Sequence, residues 1–224
     1  MPAPTFVFDA YGTLFDVHAA IGRHRDAAGP DADSFSDLWR TKQLEYTWTL
    51  TLAGQYLEFF TVTQRALDYT FARFPSVDKA LRPKLLDAYL KLDAFADARD
   101  TLRALKSRGL KTAILSNGSP QMLCPAVEAA KLTAELDAVL SVDAVRMYKP
   151  RSEVYRLVTD HFRIAPTDVV FVSSNRWDVM GAAQFGFRTA WINRGGMPDE
   201  YAEPAPEQVL STLGGLLALA PAAG

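Results

Sequence analysis

The segment Thr5-Phe6-Val7-Phe8-Asp9-Ala10-Tyr11-Gly12-Thr13-Leu14-Phe15 opens on three consecutive apolar, β-prone residues, Phe6 to Phe8, and stops abruptly at Asp9. A glycine-containing turn follows at Tyr11-Gly12-Thr13. A short apolar run closed by a turn predicts a buried parallel strand. In an open α/β sheet, ligands bind at the carboxyl ends of such strands. Asp9 is therefore a candidate nucleophile, because a carboxylate can form a covalent ester with a substrate and be regenerated by water. Taken alone, it is equally a turn-capping aspartate.

Outward from this strand the pattern changes. Residues 16–95 carry no clear strand run and are rich in helix formers and aromatics. Ser34 to Asp37 supplies helix-start residues ahead of Leu38 and Trp39, and the helical pattern runs on to a break at Gly54. Tyr56 to Phe74 reads as another helix, and Pro83 opens a third that reaches Leu92. From Ala98 the chain alternates. Strands are expected over Lys111–Leu115, Ala138–Val142, Val169–Val172 and Arg188–Ile192, with helices between them. This alternation predicts an α/β fold with a parallel sheet and helices on both faces. The apolar stretch Val209 to Ala220 is expected to form a final helix packed on that core.

Composition narrows the function classes. The 224 residues are 49% hydrophobic, enough for a sizeable core. The formal net charge is −2 and no basic run is present, so nucleic acid is not expected as a partner. The lone Cys124 cannot form an intramolecular disulfide; it fits a reducing cytosol and reads as a small packed residue. Asp9 interrupts the N-terminal apolar run too early for a signal peptide, and no apolar stretch is long enough to span a membrane. A cytoplasmic protein is expected.

Polar clusters follow three of the strands: Asp9 to Thr13, Ser116 to Ser119, and Ser173 to Asp178. Tyr148-Lys149-Pro150 lies between the third and fourth. Parallel strands would bring all four segments to one crevice, which raises Asp9 above its turn-capping role. The set Asp9-Ala10-Tyr11-Gly12-Thr13-Leu14, Leu115-Ser116-Asn117-Gly118, Tyr148-Lys149-Pro150 and Ser173-Ser174-Asn175-Arg176-Trp177-Asp178 resembles, in order, the motifs of the haloacid dehalogenase superfamily. Within it the chain resembles the L-2-haloacid dehalogenases. The fold this implies is α/β, a Rossmann-like parallel sheet core over 1–15 and 96–224 with an inserted all-helical cap domain over 16–95.

The chemistry argues for the same branch. Phosphatases of the superfamily carry a second Asp two residues after the nucleophile as leaving-group acid. Here that position is Tyr11, a poor acid at neutral pH. They also use further carboxylates after the fourth strand to hold Mg²⁺, where this chain offers Ser173, Ser174, Asn175 and the single carboxylate Asp178. The resemblance implies no metal or organic cofactor, a small 2-haloacid as substrate, and a homodimer. Asp9 would attack C2, Lys149 would hold Asp9 charged, and Asp178 with Asn175 and Ser173 would position and activate water. Ser116 and Thr13 would hydrogen-bond the substrate carboxylate or Asp9, and Tyr155 matches a tyrosine near the nucleophile. Arg40 and Asn117 would take up the leaving halide; read without the family, Arg40 is a solvated helix charge. Tyr11, Leu44, Phe59 and Trp177 match an apolar substrate pocket or are plain core residues. Arg176 departs from the small residue often found there; facing the crevice it would add anion affinity or narrow the pocket, facing outward it would have no role, and the outward placement is the expectation. His18, His24 and His161 read as surface or capping residues. The alternatives are a Mg²⁺-dependent phosphatase of the same superfamily and a catalytically silent binding module.

Overall fold

The computed structural model describes residues 3–220; residues 1–2 and 221–224, the ends of the expected core, lie outside the described residues. β1 (Thr5–Phe8) is buried along its whole length, as its continuous apolar run requires when strands flank it on both sides. Those neighbours are β2 (Thr112–Ser116) and β4 (Val169–Ser173), both parallel to β1, with Phe8 opposite Ile114 on one side and Val172 on the other. β3 (Ala138–Ser141) pairs with β2, and β5 (Arg188–Ile192) with β4. With β6 (Gln208–Leu210) the order is β3-β2-β1-β4-β5-β6. The strand order reverses between β1 and β4, so the residues just after these strands border the crevice where such sheets bind ligands. Asp9 is the first of them.

Helices α1 (Ala19–Gly22), α2 (Arg25–Ala28), α3 (Ala32–Leu52), α4 (Phe59–Arg73) and α5 (Arg82–Leu90) form the inserted segment. α3 buries Phe35, Trp39, Gln43 and Thr47, one face at four-residue spacing, against α4. Phe35 meets Phe71 edge-on at 5.0 Å, and the Trp39 indole N–H donates to the Thr63 carbonyl at 3.0 Å. The two chain segments that enter and leave the insertion run side by side: Asp16 N–H donates to Asp93 O, and Phe95 N–H to Leu14 O, each at 2.9 Å. α6 (Ala98–Ser107), α7 (Pro120–Ala129), α8 (Ser152–Phe162) and α9 (Arg176–Phe185) alternate with the strands.

Two expectations need correction. Val209 to Ala220 is not one helix. Gln208 to Leu210 extends the sheet along the free edge of β5, and a 3₁₀ helix over Leu213–Ala218 follows. Adjacent Gly214 and Gly215 weaken an α-helix, while at the open strand edge the Leu210 carbonyl accepts the Asn193 N–H at 2.7 Å. Cys124 is exposed rather than packed. Met122, Leu123, Ala126 and Val127 form the buried face of α7, and position 124 falls on the other side. No helix among the described residues is long and apolar enough to cross a membrane.

Candidate active site

Asp9 leaves β1 with its backbone N–H bonded to Val172 O of β4 at 2.9 Å, which fixes the carboxylate at the switch point. Its side chain receives three hydrogen bonds. Lys149 Nζ donates to Oδ1 at 3.0 Å; Thr13 Oγ1 at 3.1 Å and Asn175 Nδ2 at 2.9 Å donate to Oδ2. Thr13 Oγ1 accepts the Ser174 N–H at 2.9 Å, so its own proton is free for Asp9. A carboxylate offers about four lone-pair directions, and these three bonds leave one of them unoccupied.

Lys149 is fully buried and bridges Asp9 to Asp178, whose Oδ2 lies 2.8 Å from Nζ. Burial works against the ammonium charge, yet Asp178 and then Asp9 outweigh it and hold Lys149 above its ordinary value. Asp178 is wholly buried, and burial raises its carboxyl to about 6; Lys149 pulls the other way, and the negative charge of Asp9 adds to the rise. The Tyr155 hydroxyl donates to Asp178 Oδ1 at 2.7 Å and so favours its charged form. This network joins β1, α8, α9 and the loop before α8.

Asp9 opens onto a small cavity with about 10 Å³ of free space. Its polar wall is Asp9, Arg40, Asn117 and Asn175, and its apolar wall is Tyr11, Leu44, Phe59 and Trp177. Pockets for drug-sized ligands start at about 300 Å³; this one is closed down to the room of about one water. Arg40 arrives from α3, its guanidinium donating to Tyr11 O at 3.1 Å and Gln43 Oε1 at 2.6 Å. Asn117 Oδ1 accepts the Lys149 backbone N–H at 3.1 Å, which ties the end of β2 to the lysine loop. Trp177 stacks edge-on against Trp48 of α3 at 5.3 Å. Burial, then the neighbouring Tyr89, pushes the Tyr11 phenol well above its ordinary value, against the pull of Arg40. Gly118 faces the Tyr11 ring so closely that a Cβ there would lie 2.6 Å from it; that close approach explains a glycine after Ser116-Asn117.

Of the residues picked out in the sequence, eight thus share one cavity; Thr13 and Lys149 bond Asp9 from behind, and Asp178 and then Tyr155 follow through Lys149. The two serines sit differently. Ser116 ends β2 and its Oγ accepts the Gly118 N–H at 3.0 Å; Ser173 ends β4 and accepts the Asn175 N–H at 3.1 Å. Each shapes the loop that carries an asparagine into the cavity. Arg176, expected outside, is 3% exposed. Its Nε bonds Asp199 at 2.7 Å, and Nη2 bonds the carbonyls of Tyr201 and Pro204, so it pins the 195–206 loop onto the start of α9. Gln43, which bonds Arg40, and Thr63 and Tyr89, which hold Gln43, belong to none of the sequence motifs. A polar residue at the four-residue spacing of Phe35 and Trp39 was the available signal. Among the described residues, no cluster of three or more His, Cys, Asp or Glu is arranged to hold a metal ion.

Comparison with known proteins agrees with this architecture. The haloacid dehalogenase-like hydrolase family matches residues 3–186. The chain is 46% identical to (S)-2-haloacid dehalogenase 1 of Pseudomonas sp. (strain CBS-3), covering 95% of this chain and 94% of that one. It is 48% identical to (S)-2-haloacid dehalogenase 4A of Burkholderia cepacia, with the same two shares. Among solved structures, the L-2-haloacid dehalogenase of Xanthobacter autotrophicus with chloropropionic acid covalently bound superposes with a TM-score of 0.89 at 38% identity, covering 97% of this chain and 98% of that one. With the motif order, the sheet and the relatives in agreement, the chain belongs to the haloacid dehalogenase-like hydrolases and, among them, to the L-2-haloacid dehalogenases.

Proposed function

We propose that the protein hydrolyses short L-2-haloacids to D-2-hydroxyacids, with Asp9 as the nucleophile. The observation that carries this reading is the cavity: one carboxylate opens onto a small space, walled half by apolar side chains, whose other polar groups are a guanidinium and two amides. An Asp9 oxygen attacks C2 from the side opposite the halogen. The O–C2 bond forms, the C–halogen bond breaks, and the halide leaves with the bonding pair toward Arg40 and Asn117, inverting C2. Water then attacks the Asp9 carbonyl carbon and gives a proton to Asp178. The acyl–oxygen bond breaks, the departing alkoxide takes the proton held by Asp178, and Asp9 is regenerated holding the oxygen from water and releases that oxygen's remaining proton. The sum is haloacid plus water to hydroxyacid, halide and one proton. Asn175 and Thr13 would stabilise negative charge on the Asp9 oxygens during this second step. Residues 16–95 act as the cap that closes the cavity, and Tyr11, Leu44, Phe59 and Trp177 keep it dry around the alkyl group.

The phosphatase alternative needs an acid to protonate its leaving group. Tyr11 occupies that position with a phenol held above its ordinary value, which disfavours it. Halide needs no such proton. The test is halide release from L- and D-2-chloropropionate in the presence of EDTA, with p-nitrophenyl phosphate in parallel. Release from the L-isomer alone, without phosphatase activity, is the expected result. Mg²⁺-dependent phosphate release with no halide would overturn the proposal.

A pH dependence follows. A base must be unprotonated, so activity is present above the Asp178 value and is lost as pH falls through about 6. That value is the free enzyme's, while Asp178 acts only after halide has left, so its limb belongs to kcat; kcat/KM ends at the irreversible loss of halide and carries no limb from this base. Once Asp9 is esterified, its negative charge no longer raises Asp178, so the acid limb of kcat is expected below about 6. Tyr155→Phe removes a hydrogen bond to the charged form and is expected to move that limb upward. A kcat limb unmoved by Tyr155→Phe would exclude Asp178 as the base.

A further inference from the structure

Gln43 lies on the α3 face that also carries Phe35 and Trp39, where the helical pattern calls for an apolar side chain, and it is 1% exposed. Both ends of its amide are engaged. Oε1 accepts from Arg40 Nη1 at 2.6 Å and from the Tyr89 hydroxyl at 3.0 Å; Nε2 donates to Thr63 Oγ1 at 2.6 Å. The amide can point only one way. The single hydroxyl proton of Thr63 goes to the Phe59 carbonyl at 2.8 Å, so toward Gln43 this oxygen can only accept. Arg40 has no acceptor to offer. The carbonyl end must therefore face the guanidinium and the NH₂ end must face α4.

We infer that Gln43 is a positioning residue for the leaving-group side of the active site. It fixes the Arg40 guanidinium at the cavity wall and, through Thr63, ties that position to Phe59, a second wall residue on α4. This rests on the proposed dehalogenation, in which Arg40 receives the halide. An arginine has many rotamers, and only those aimed at the departing anion stabilise it. A buried acceptor at one nitrogen and the Tyr11 carbonyl at the other select the productive rotamer before substrate arrives. Both tethers bond donor groups of Arg40 without neutralising it, as a carboxylate in place of Gln43 would. Tyr89 supports the same acceptor oxygen and stacks on Tyr11 at 5.7 Å, so the brace reaches the nucleophile loop as well.

The test is single-turnover halide release from L-2-chloro- and L-2-bromopropionate by the wild type, Gln43→Met and Thr63→Val, with thermal melts of each. Chloride is the poorer leaving group and depends more on Arg40. Gln43→Met is expected to slow chloride release roughly tenfold to a hundredfold, the size of a lost hydrogen bond to a charged group, and to slow bromide release less. Thr63→Val frees the amide to turn and is expected to move the bromide-to-chloride rate ratio in the same direction by a smaller factor. A merely structural role would reduce the active fraction equally for both halides. A ratio equal to the wild type in both variants, or in Thr63→Val alone where Gln43→Met does not fold, overturns the inference. A wild type that releases no halide from either acid overturns the proposed activity instead, so the two failures are separable.

Discussion

Asp9→Asn is expected to lower haloacid turnover by roughly a thousandfold or more, because an amide is a far weaker nucleophile and no second carboxylate faces the cavity. The fold should survive. The asparagine keeps the size of the side chain and an oxygen that can accept from Thr13 and Asn175, and Lys149 keeps Asp178 as its partner. The buried cluster even loses one negative charge: two carboxylates around one ammonium become a neutral pair. Stability should therefore change by less than about 1 kcal/mol. Halide release, a thermal melt and the intact mass together check this, since the mass detects hydrolysis of the new amide back to Asp. A variant of confirmed mass that still turns over at the wild-type rate would remove Asp9 from the nucleophile role. One that unfolds would leave the loss of activity without mechanistic meaning.

The reasons this site could be read from sequence are local. Phe6-Val7-Phe8 is apolar without alternation because β1 is covered by strands on both sides, and Asp9 interrupts it where the strand leaves the sheet. The polar clusters after β2 and β4 converge because parallel strands point their carboxyl ends one way. What escaped depends on partners distant in the chain. β6 is three residues with no alternation; it exists because β5 presents a free edge to it. Arg176 is buried by Asp199, Tyr201 and Pro204, residues 23 to 28 positions later in a loop with no periodicity. The motif points to chemistry at Ser116 and Ser173, and their Oγ atoms also accept N–H groups two residues on, so each shapes its turn while its hydroxyl keeps a proton to donate. Gln43 was the one readable omission. A polar residue in register with Phe35 and Trp39 breaks the pattern of the face it sits on, and such breaks mark functional positions.

Lys149→Met should do more damage to stability than any loss of nucleophile. Asp9 and Asp178 reach the same ammonium at 3.0 and 2.8 Å, with side chains 8% and 0% exposed. Methionine fills the volume but leaves two buried like charges without a counter-ion. Breaking a buried pair in this way costs about 3–5 kcal/mol. The folded variant can escape part of that cost only by keeping a proton on one carboxyl. The proton would remain bound in the folded state at pH values where the unfolded chain, with Asp near 3.9, has released it. The folded state then binds more protons than the unfolded one, so stability falls as pH rises above that value. The deficit relative to wild type is accordingly expected to be small near pH 5 and large near pH 8, measured by urea unfolding at both. Activity at pH 8 should be lost as well, because Asp9 no longer has the ammonium beside it and shares its cluster with an unbalanced Asp178. A deficit of equal size at both pH values would mean that the lysine side chain, whose Nζ lies over the Phe171 ring 5.0 Å from its centre, matters through its volume and not its charge.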